Sequence, residues 1–201
     1  MNKLLTYTSY LFHPIFLPFF GVCVFYSLNY NYYTEEYIQN RGFQLFILTI
    51  IIPLLIFRVL KKMQYASSLM LKKVKERRFP YLIAVILNLY ITKYVFTESM
   101  DLELHFFFAG ISFTSITFLI LSCLNYKASL HAAAISGLTM FVIALSIHLQ
   151  LNLIIGIGFL ILINGLVATS RLHLKAHNTL QLIIGFVAGF SPQFMMMAYW
   201  I

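Results

Sequence analysis

The feature that most constrains the fold of this chain is a series of apolar stretches, each about as long as a membrane-crossing helix. A bilayer core of about 30 Å requires about 20 apolar residues per helix. Stretches of about this length cover residues 10–28, 43–60, 80–96, 104–124, 131–147, 151–169 and 180–201. Only 10% of the 201 residues are charged, compared with about 25% in soluble domains. The sequence therefore predicts an all-α transmembrane bundle of about seven spans, with residues 1–201 forming one integral membrane domain.

The charged residues indicate how these spans are oriented. With seven spans, one side of the membrane receives most of the Lys and Arg residues, including segment 61–78, Lys127 and Arg171. The other side receives most of the acidic residues, namely Glu35, Glu36, Glu98, Asp101 and Glu103. The positive-inside rule then predicts that the basic side and the N-terminus are cytoplasmic. The net charge of +8 follows from this topology and suits anionic membrane lipids; it does not indicate nucleic acid binding.

Three short polar segments are predicted to meet on the basic face of the membrane. In chain order they are Lys72/Lys73/Arg77/Arg78, Ser129/His131, and Ser170/Arg171/His177. Two predicted spans separate the first segment from the second, and two more separate the second from the third. Because an even number of crossings returns the chain to the same face, we expect one composite site. Ionisable residues at membrane boundaries are functional candidates, and these residue types are suited to binding a phosphate group.

The three segments resemble the signature motifs of the type 2 phosphatidic acid phosphatase superfamily of membrane lipid phosphatases. The first family motif is Lys, six residues, then Arg-Pro. Residues 72–80 read Lys-Lys-Val-Lys-Glu-Arg-Arg-Phe-Pro, so that one residue separates Arg78 from Pro80. The resemblance covers about residues 70–190 and includes a likeness to members from Bacteroidetes-type bacteria.

The second and third family motifs carry the catalytic histidines. The second motif is Pro-Ser-Gly-His, and residues 128–131 read Ala-Ser-Leu-His. The third motif is Ser-Arg, five residues, His, three residues, Asp. The chain has Ser170-Arg171, then His177, and then Gln181 where the family has Asp.

The resemblance implies a fold, an activity and a role for each matching residue. It implies a six-helix phosphatase-like core with an additional helix, in a bacterial inner membrane. The implied activity is hydrolysis of a lipid phosphomonoester or pyrophosphate through a phosphohistidine intermediate, without a metal or other cofactor. His177 would be the nucleophile and His131 would protonate the leaving alcohol. The implied phosphate-binding residues are Lys72, Lys73, Arg78, Ser129 and Arg171.

Gln181 is the most important departure from the family pattern. It lies four residues after His177, so the two share one face of a helix. A Gln carbonyl can accept the histidine N–H and orient the ring, but it cannot offset positive charge. In a serine protease, neutralising the equivalent carboxylate lowers turnover about 10⁴-fold. Two functions therefore stay open: a slow or specialised lipid phosphatase, and a catalytically impaired homologue that binds phospholipid headgroups or protein partners.

Other interpretations apply to some of these residues. A transporter is disfavoured, because transporters carry polar or broken segments at the membrane midplane. Ser129 is also placed to cap a helix N-terminus, and His13 to mark the boundary of the first span. Gly185 and Gly189 are four residues apart and form a pattern that lets membrane helices approach closely.

Overall fold

A computed structural model describes residues 2–65, 73–98 and 101–201. In these ranges the secondary structure is helical, and five helices are long and apolar enough to cross a membrane. They are Glu35–Lys62, Leu102–Cys123, Leu130–His148, Ile154–His173 and Thr179–Met197. The predicted all-α architecture is confirmed for this part of the chain, and each of these helices overlaps a predicted span.

The helical elements are numbered here in chain order. The first half contains α1 (Asn2–Leu11), α2 (Leu17–Leu28), a 3-10 turn (Tyr30–Tyr32), α3 (Glu35–Phe46), a π-helical segment (Ile47–Ile51) and α4 (Ile52–Lys62). The second half contains a 3-10 turn (Val74–Arg77), α5 (Arg78–Tyr90), a π-helical segment (Ile91–Val95), α6 (Leu102–Cys123), α7 (Leu130–His148), α8 (Ile154–His173) and α9 (Thr179–Met197). Helices α3 and α4 form one continuous helix through the π-helical segment between them.

Two of the predicted spans differ from the helices observed. Residues 12–16 interrupt the first span between α1 and α2, because Pro14 has no N–H and disfavours helical geometry at His13. Helix α2 therefore has 12 residues, which is short for a membrane crossing. The third span is also divided, since α5 has 13 residues and continues as the π-helical segment Ile91–Val95. Continuous apolar helices in the described ranges thus account for five spans and not for about seven.

Helix α7 lies at the centre of the bundle and packs closely against α9. In its most apolar window 72% of the residues are buried, compared with 22% to 39% in the other four long helices. A Cβ atom added at Gly189 would overlap the carbonyl oxygen of Ala133, and one added at Gly185 would overlap that of Ser129. The predicted close approach of helices at these two glycines is confirmed.

Most acidic residues lie at one end of the bundle and most basic residues lie at the other. Asp101, just before α6, is fully buried and accepts hydrogen bonds from Tyr37 Oη at 2.6 Å and Tyr26 Oη at 3.4 Å. At the same end, Glu103 Oε1 lies 3.3 Å from His148 Nε2 at the C-terminus of α7. The N-terminus of α7, at the other end, therefore lies among the basic residues.

Candidate anion site

Side chains from five parts of the chain meet near the N-terminus of α7, the C-terminus of α8 and the start of α9. We call this group the anion site; its members are Ser9, Arg77, His131, Arg171 and His177. All five residues are buried, with exposed fractions between 0% and 7%. Burying two arginines beside two imidazoles is costly unless an anion compensates their charge.

Two helix ends bring Arg171 and His177 together. Helix α8 ends in a Schellman motif, in which Lys175 adopts a left-handed φ of 48° and the Ala176 N–H donates to the Arg171 carbonyl at 3.0 Å. Helix α9 then begins after Asn178, whose side chain caps its first turn. His177 is therefore held in a tight turn between two capped helices.

Gln181 fixes the imidazole ring of His177. Its Oε1 lies 3.2 Å from His177 Nδ1 and accepts the Asn178 backbone N–H at 3.3 Å. Because a backbone N–H can only donate, this amide atom is the oxygen, and Nδ1 must carry a proton. Nε2 of His177 then keeps its lone pair, as nucleophilic attack requires. The predicted hydrogen bond between these side chains is present, without the carboxylate charge.

The surroundings of His177 keep it neutral. Burial, and then the charges of Arg171, Arg77 and Lys127, lower the pKa of His177 from 6.5 to about 4, against the opposing effect of the Gln181 hydrogen bond. Burial and the same two arginines also lower the pKa of Lys127. The charges that act on His177 are all positive, so the neutral imidazole lies in a field that attracts an anion.

His131 is oriented by the backbone of α1. Its Nε2 lies 3.2 Å from the carbonyl oxygen of Ser9. A carbonyl oxygen can only accept, so Nε2 carries the proton and Nδ1 has the lone pair. The ring of His13 meets that of His131 edge-on, with 5.3 Å between centroids. His131 also interacts electrostatically with Arg171 and His177.

Arg171 is bound at one end of its guanidinium group. Its Nη1 donates to Ser9 Oγ at 3.2 Å. Its Nε is buried and has no hydrogen-bond partner among the residues that the structure describes. The neighbouring Ser170 is also buried, and its hydroxyl contacts Ser9 Oγ at 2.7 Å and the Leu5 carbonyl at 2.5 Å. Ser170 thus attaches α1 to α8, while Arg171 presents an unused donor.

The two adjacent arginines have different partners: Arg77 interacts with His177, whereas Arg78 contacts the C-terminus of α6. Arg77 is buried, and its Nη1 donates to the Ala128 carbonyl at 3.3 Å. Arg78 donates from Nε to the Ser122 carbonyl at 3.2 Å and from Nη2 to Asn125 Oδ1 at 3.0 Å. Arg78 therefore caps the C-terminus of α6, and its role as a phosphate ligand stays a prediction.

The remaining predicted phosphate ligands are distributed differently. Lys72 lies outside the described residues, and Lys73 is exposed before the 3-10 turn. Ser129 is buried, and its Oγ accepts the Ala132 N–H at 3.4 Å as the N-cap of α7. The capping interpretation of Ser129 is confirmed, and a phosphate-binding role of its hydroxyl stays a prediction.

Sequence reasoning missed three contributors to this end of the bundle. The sequence groups Arg77 with the basic segment without marking it as the ligand, and it places His13 at the boundary of the first span. Ser9 was not singled out at all, because its role requires α1 to fold back against α8. The available signal was the His13-Pro14 pair inside an apolar run, which marks a helix break.

An apolar cavity of about 260 Å³ adjoins the anion site. His13 and Leu130 line the cavity at the level of the site, and Asn88 and Gln193 line it deeper in the bundle. Tyr81 lines the cavity and also interacts with Arg77. The cavity therefore lies next to residues that contact the anion site, although none of the five site residues lines it.

Within the described ranges, no three or more metal-ligating His, Cys, Asp or Glu side chains come together. Comparisons of the chain with family models, with curated proteins and with solved structures find no match. The function is therefore argued from the geometry of the anion site.

Proposed function

We propose that the protein is a membrane lipid phosphatase of the type 2 phosphatidic acid phosphatase kind, acting on a lipid phosphomonoester or pyrophosphate. The observation that carries the proposal is the burial of two arginines that act electrostatically on buried histidines: Arg77 and Arg171 on His177, and Arg171 on His131. Arg171 Nε has no hydrogen-bond partner among the described residues, as expected of a donor that binds an anion. Phosphoryl transfer requires positive charge and donors around the phosphate oxygens and little further chemistry from the protein. The adjoining apolar cavity favours a lipid substrate.

The orientation of the two histidines supports a two-step mechanism. In the first step, the bound phosphate monoanion gives its proton to Nδ1 of His131. Nε2 of His177 then attacks phosphorus, the bond to the lipid oxygen breaks, and Nδ1 of His131 passes that proton to the lipid oxygen. In the second step, water attacks the phosphohistidine, the P–N bond breaks, and the proton of the water returns to Nδ1 of His131. Arg77 and Arg171 stabilise the charge on the phosphate oxygens in both steps.

Gln181 favours a second candidate function, in which the same site binds a phospholipid headgroup or a protein partner without turnover. Formation of phosphohistidine places positive charge on the imidazole ring. A carboxylate would offset this charge, whereas the Gln181 amide provides only a hydrogen bond. Binding without turnover needs only the buried cations.

Phosphate release by the purified protein tests both functions. Substrates are a diacylglycerol phosphate and a polyprenyl diphosphate, presented in mixed micelles. We expect release by the native protein, loss in His177→Ala, and retention in His173→Ala, which replaces an exposed histidine nearby. Absence of release by both the native protein and Gln181→Asp would refute the phosphatase. Retained binding of phosphatidate vesicles in that case would support the second function.

The topology proposed for this function has about seven crossings of a bacterial inner membrane. The five long helices provide five of them, and α2 and α5 provide the other two. The positive-inside rule places the anion site at the cytoplasmic face. Single cysteines at Glu36 and Gln64 test the orientation, because these exposed residues lie at opposite ends of the continuous helix Glu35–Lys62. In a variant with Cys23 and Cys123 replaced by Ala, an impermeant thiol reagent should label position 36 in intact cells. Labelling at position 64 instead would reverse the orientation.

A further inference from the structure

Helix α1 carries a serine that contacts two helices of the anion site. Ser9 is fully buried, and its Oγ accepts a hydrogen bond from Arg171 Nη1 at 3.2 Å. The same oxygen lies 2.7 Å from Ser170 Oγ, also on α8. The carbonyl oxygen of Ser9 accepts from His131 Nε2, on α7, at 3.2 Å. One residue therefore holds the arginine and the histidine in fixed relation to each other.

The direction of these hydrogen bonds follows from the number of protons available. The hydroxyl of Ser170 donates its single proton to the Leu5 carbonyl at 2.5 Å. In the contact between the two serines, Ser9 must therefore be the donor. With its proton directed at Ser170, the Ser9 hydroxyl presents a lone pair to Arg171 and acts as a fixed acceptor.

This acceptor determines which part of Arg171 remains available. Ser9 engages Nη1, at the end of the guanidinium group. Nε, on the long edge of the group, is buried without a hydrogen-bond partner among the described residues. Nε and the adjacent terminal nitrogen form the fork that binds two oxygens of a phosphate. Ser9 thus leaves the bidentate edge of Arg171 open.

The helix break at Pro14 frees the carbonyl oxygen that orients His131. In a continuous helix, the N–H of His13 would donate to the carbonyl of Ser9, four residues earlier. Here the His13 N–H donates instead to the Tyr10 carbonyl at 3.3 Å. The Ser9 carbonyl is therefore available to accept from His131 Nε2, which leaves Nδ1 of His131 for proton exchange.

We propose that Ser9 is a positioning residue of the anion site. Its hydroxyl orients the bidentate edge of Arg171. Its carbonyl, released by the helix break at Pro14, holds the proton of His131 on Nε2 and leaves Nδ1 available. This role rests on the proposed function, because it concerns the same site. Helix α1 is then a working part of the site as well as a flanking segment of the bundle.

Binding of inorganic phosphate to the full-length protein tests the role of the hydroxyl. Ser9→Ala removes the acceptor for Arg171 but keeps the backbone carbonyl. We expect its dissociation constant for phosphate to rise about tenfold, since hydrogen bonds to charged groups are worth about that much. Ser27→Ala is the matched control, because Ser27 is an exposed serine on α2 whose hydroxyl donates to the Val24 carbonyl of the same helix. Its phosphate affinity should equal that of the native protein.

Nitrogen-15 spectra of the histidine rings test the role of the carbonyl. In the native protein and in Ser9→Ala, His131 should be protonated at Nε2. In Pro14→Ala, the helix can continue and the His13 N–H can reclaim the Ser9 carbonyl, so the Nε2-protonated form of His131 should no longer be favoured.

The outcomes separate this inference from the proposed function. A native protein that does not bind phosphate would refute the phosphate site itself. A native protein that binds phosphate, together with Ser9→Ala of equal affinity, would refute the positioning role alone. An Nδ1-protonated His131 in the native protein would refute the role of the carbonyl.

Discussion

Replacing Gln181 with Glu adds a negative charge at an atom that already contacts the imidazole of His177. The two side chains have the same length, so a Glu oxygen can occupy the position 3.2 Å from His177 Nδ1. Glu also suits the third position of a capping box, in which Gln181 reaches back to the Asn178 N–H. Gln181→Glu therefore changes the charge beside His177 and preserves the start of α9.

The expected effect follows from the distance and from the present pKa. An opposite charge at such a distance moves a pKa by about one to three units. The pKa of His177 should therefore rise from about 4 to between about 5 and 7. Each unit corresponds to ~1.4 kcal/mol in favour of the charged imidazole. If half of that charge is present in the transition state, phosphohistidine formation should accelerate about 3- to 30-fold.

Two measurements check this prediction: titration of the His177 ring by nitrogen-15 NMR in detergent, and the initial rate of phosphate release at neutral pH. Thr179→Glu is the matched control, because it places the same charge in the exposed first turn of α9. An unchanged pKa of His177 in Gln181→Glu would refute the contact between the two side chains. An equal shift of the His177 pKa in Thr179→Glu would show that any added negative charge nearby has this effect, without a contact to the imidazole.

Three further outcomes are expected. Arg77→Ala should weaken phosphate binding at least tenfold, because it removes a buried cation. Arg78→Ala should lower thermal stability and leave phosphate affinity unchanged, since Arg78 caps α6. The reverse result would identify Arg78 as the phosphate ligand. Gly189→Ala should destabilise the protein by ~1–3 kcal/mol or more, because its Cβ overlaps the backbone of α7. The control is Gly165→Ala, where the added Cβ meets open space. Similar unfolding temperatures for the two variants would contradict the close packing. The contribution of neutral His177 to the free energy of unfolding should be fully present above pH 6.5 and should be lost as the pH falls towards 4. The reason is that the pKa of His177 is lowered in the folded state, so that the unfolded chain takes up the proton first. An equal loss of stability in His177→Gln, measured by thermal unfolding, would show that another group is responsible.

Local features of the fold could be predicted because they depend on neighbours in sequence. The N-cap at Ser129 and the contact between His177 and Gln181 involve residues three or four positions apart. The close packing at Gly185 and Gly189 could also be predicted, because small residues at helical spacing let the backbones of membrane helices approach closely.

The choice between adjacent arginines could not be predicted in the same way. Arg77 and Arg78 stand at the junction of a 3-10 turn and an α-helix, so the directions of their side chains depend on where the helix begins. The family resemblance favoured the arginine nearer Pro80, but only Arg77 interacts with Lys127 and His177.

The apolar helices, and the concentration of most basic residues at one end of them, can be derived from the sequence, because hydrophobicity and charge act on each segment separately. The composition of the anion site, in contrast, depends on how the helices pack together. Ser9 reaches Arg171 and His131 across more than 120 positions of sequence, and only the folding of α1 onto α8 brings them into contact. Hydrogen bonds over such separations are set by packing, which no local pattern encodes.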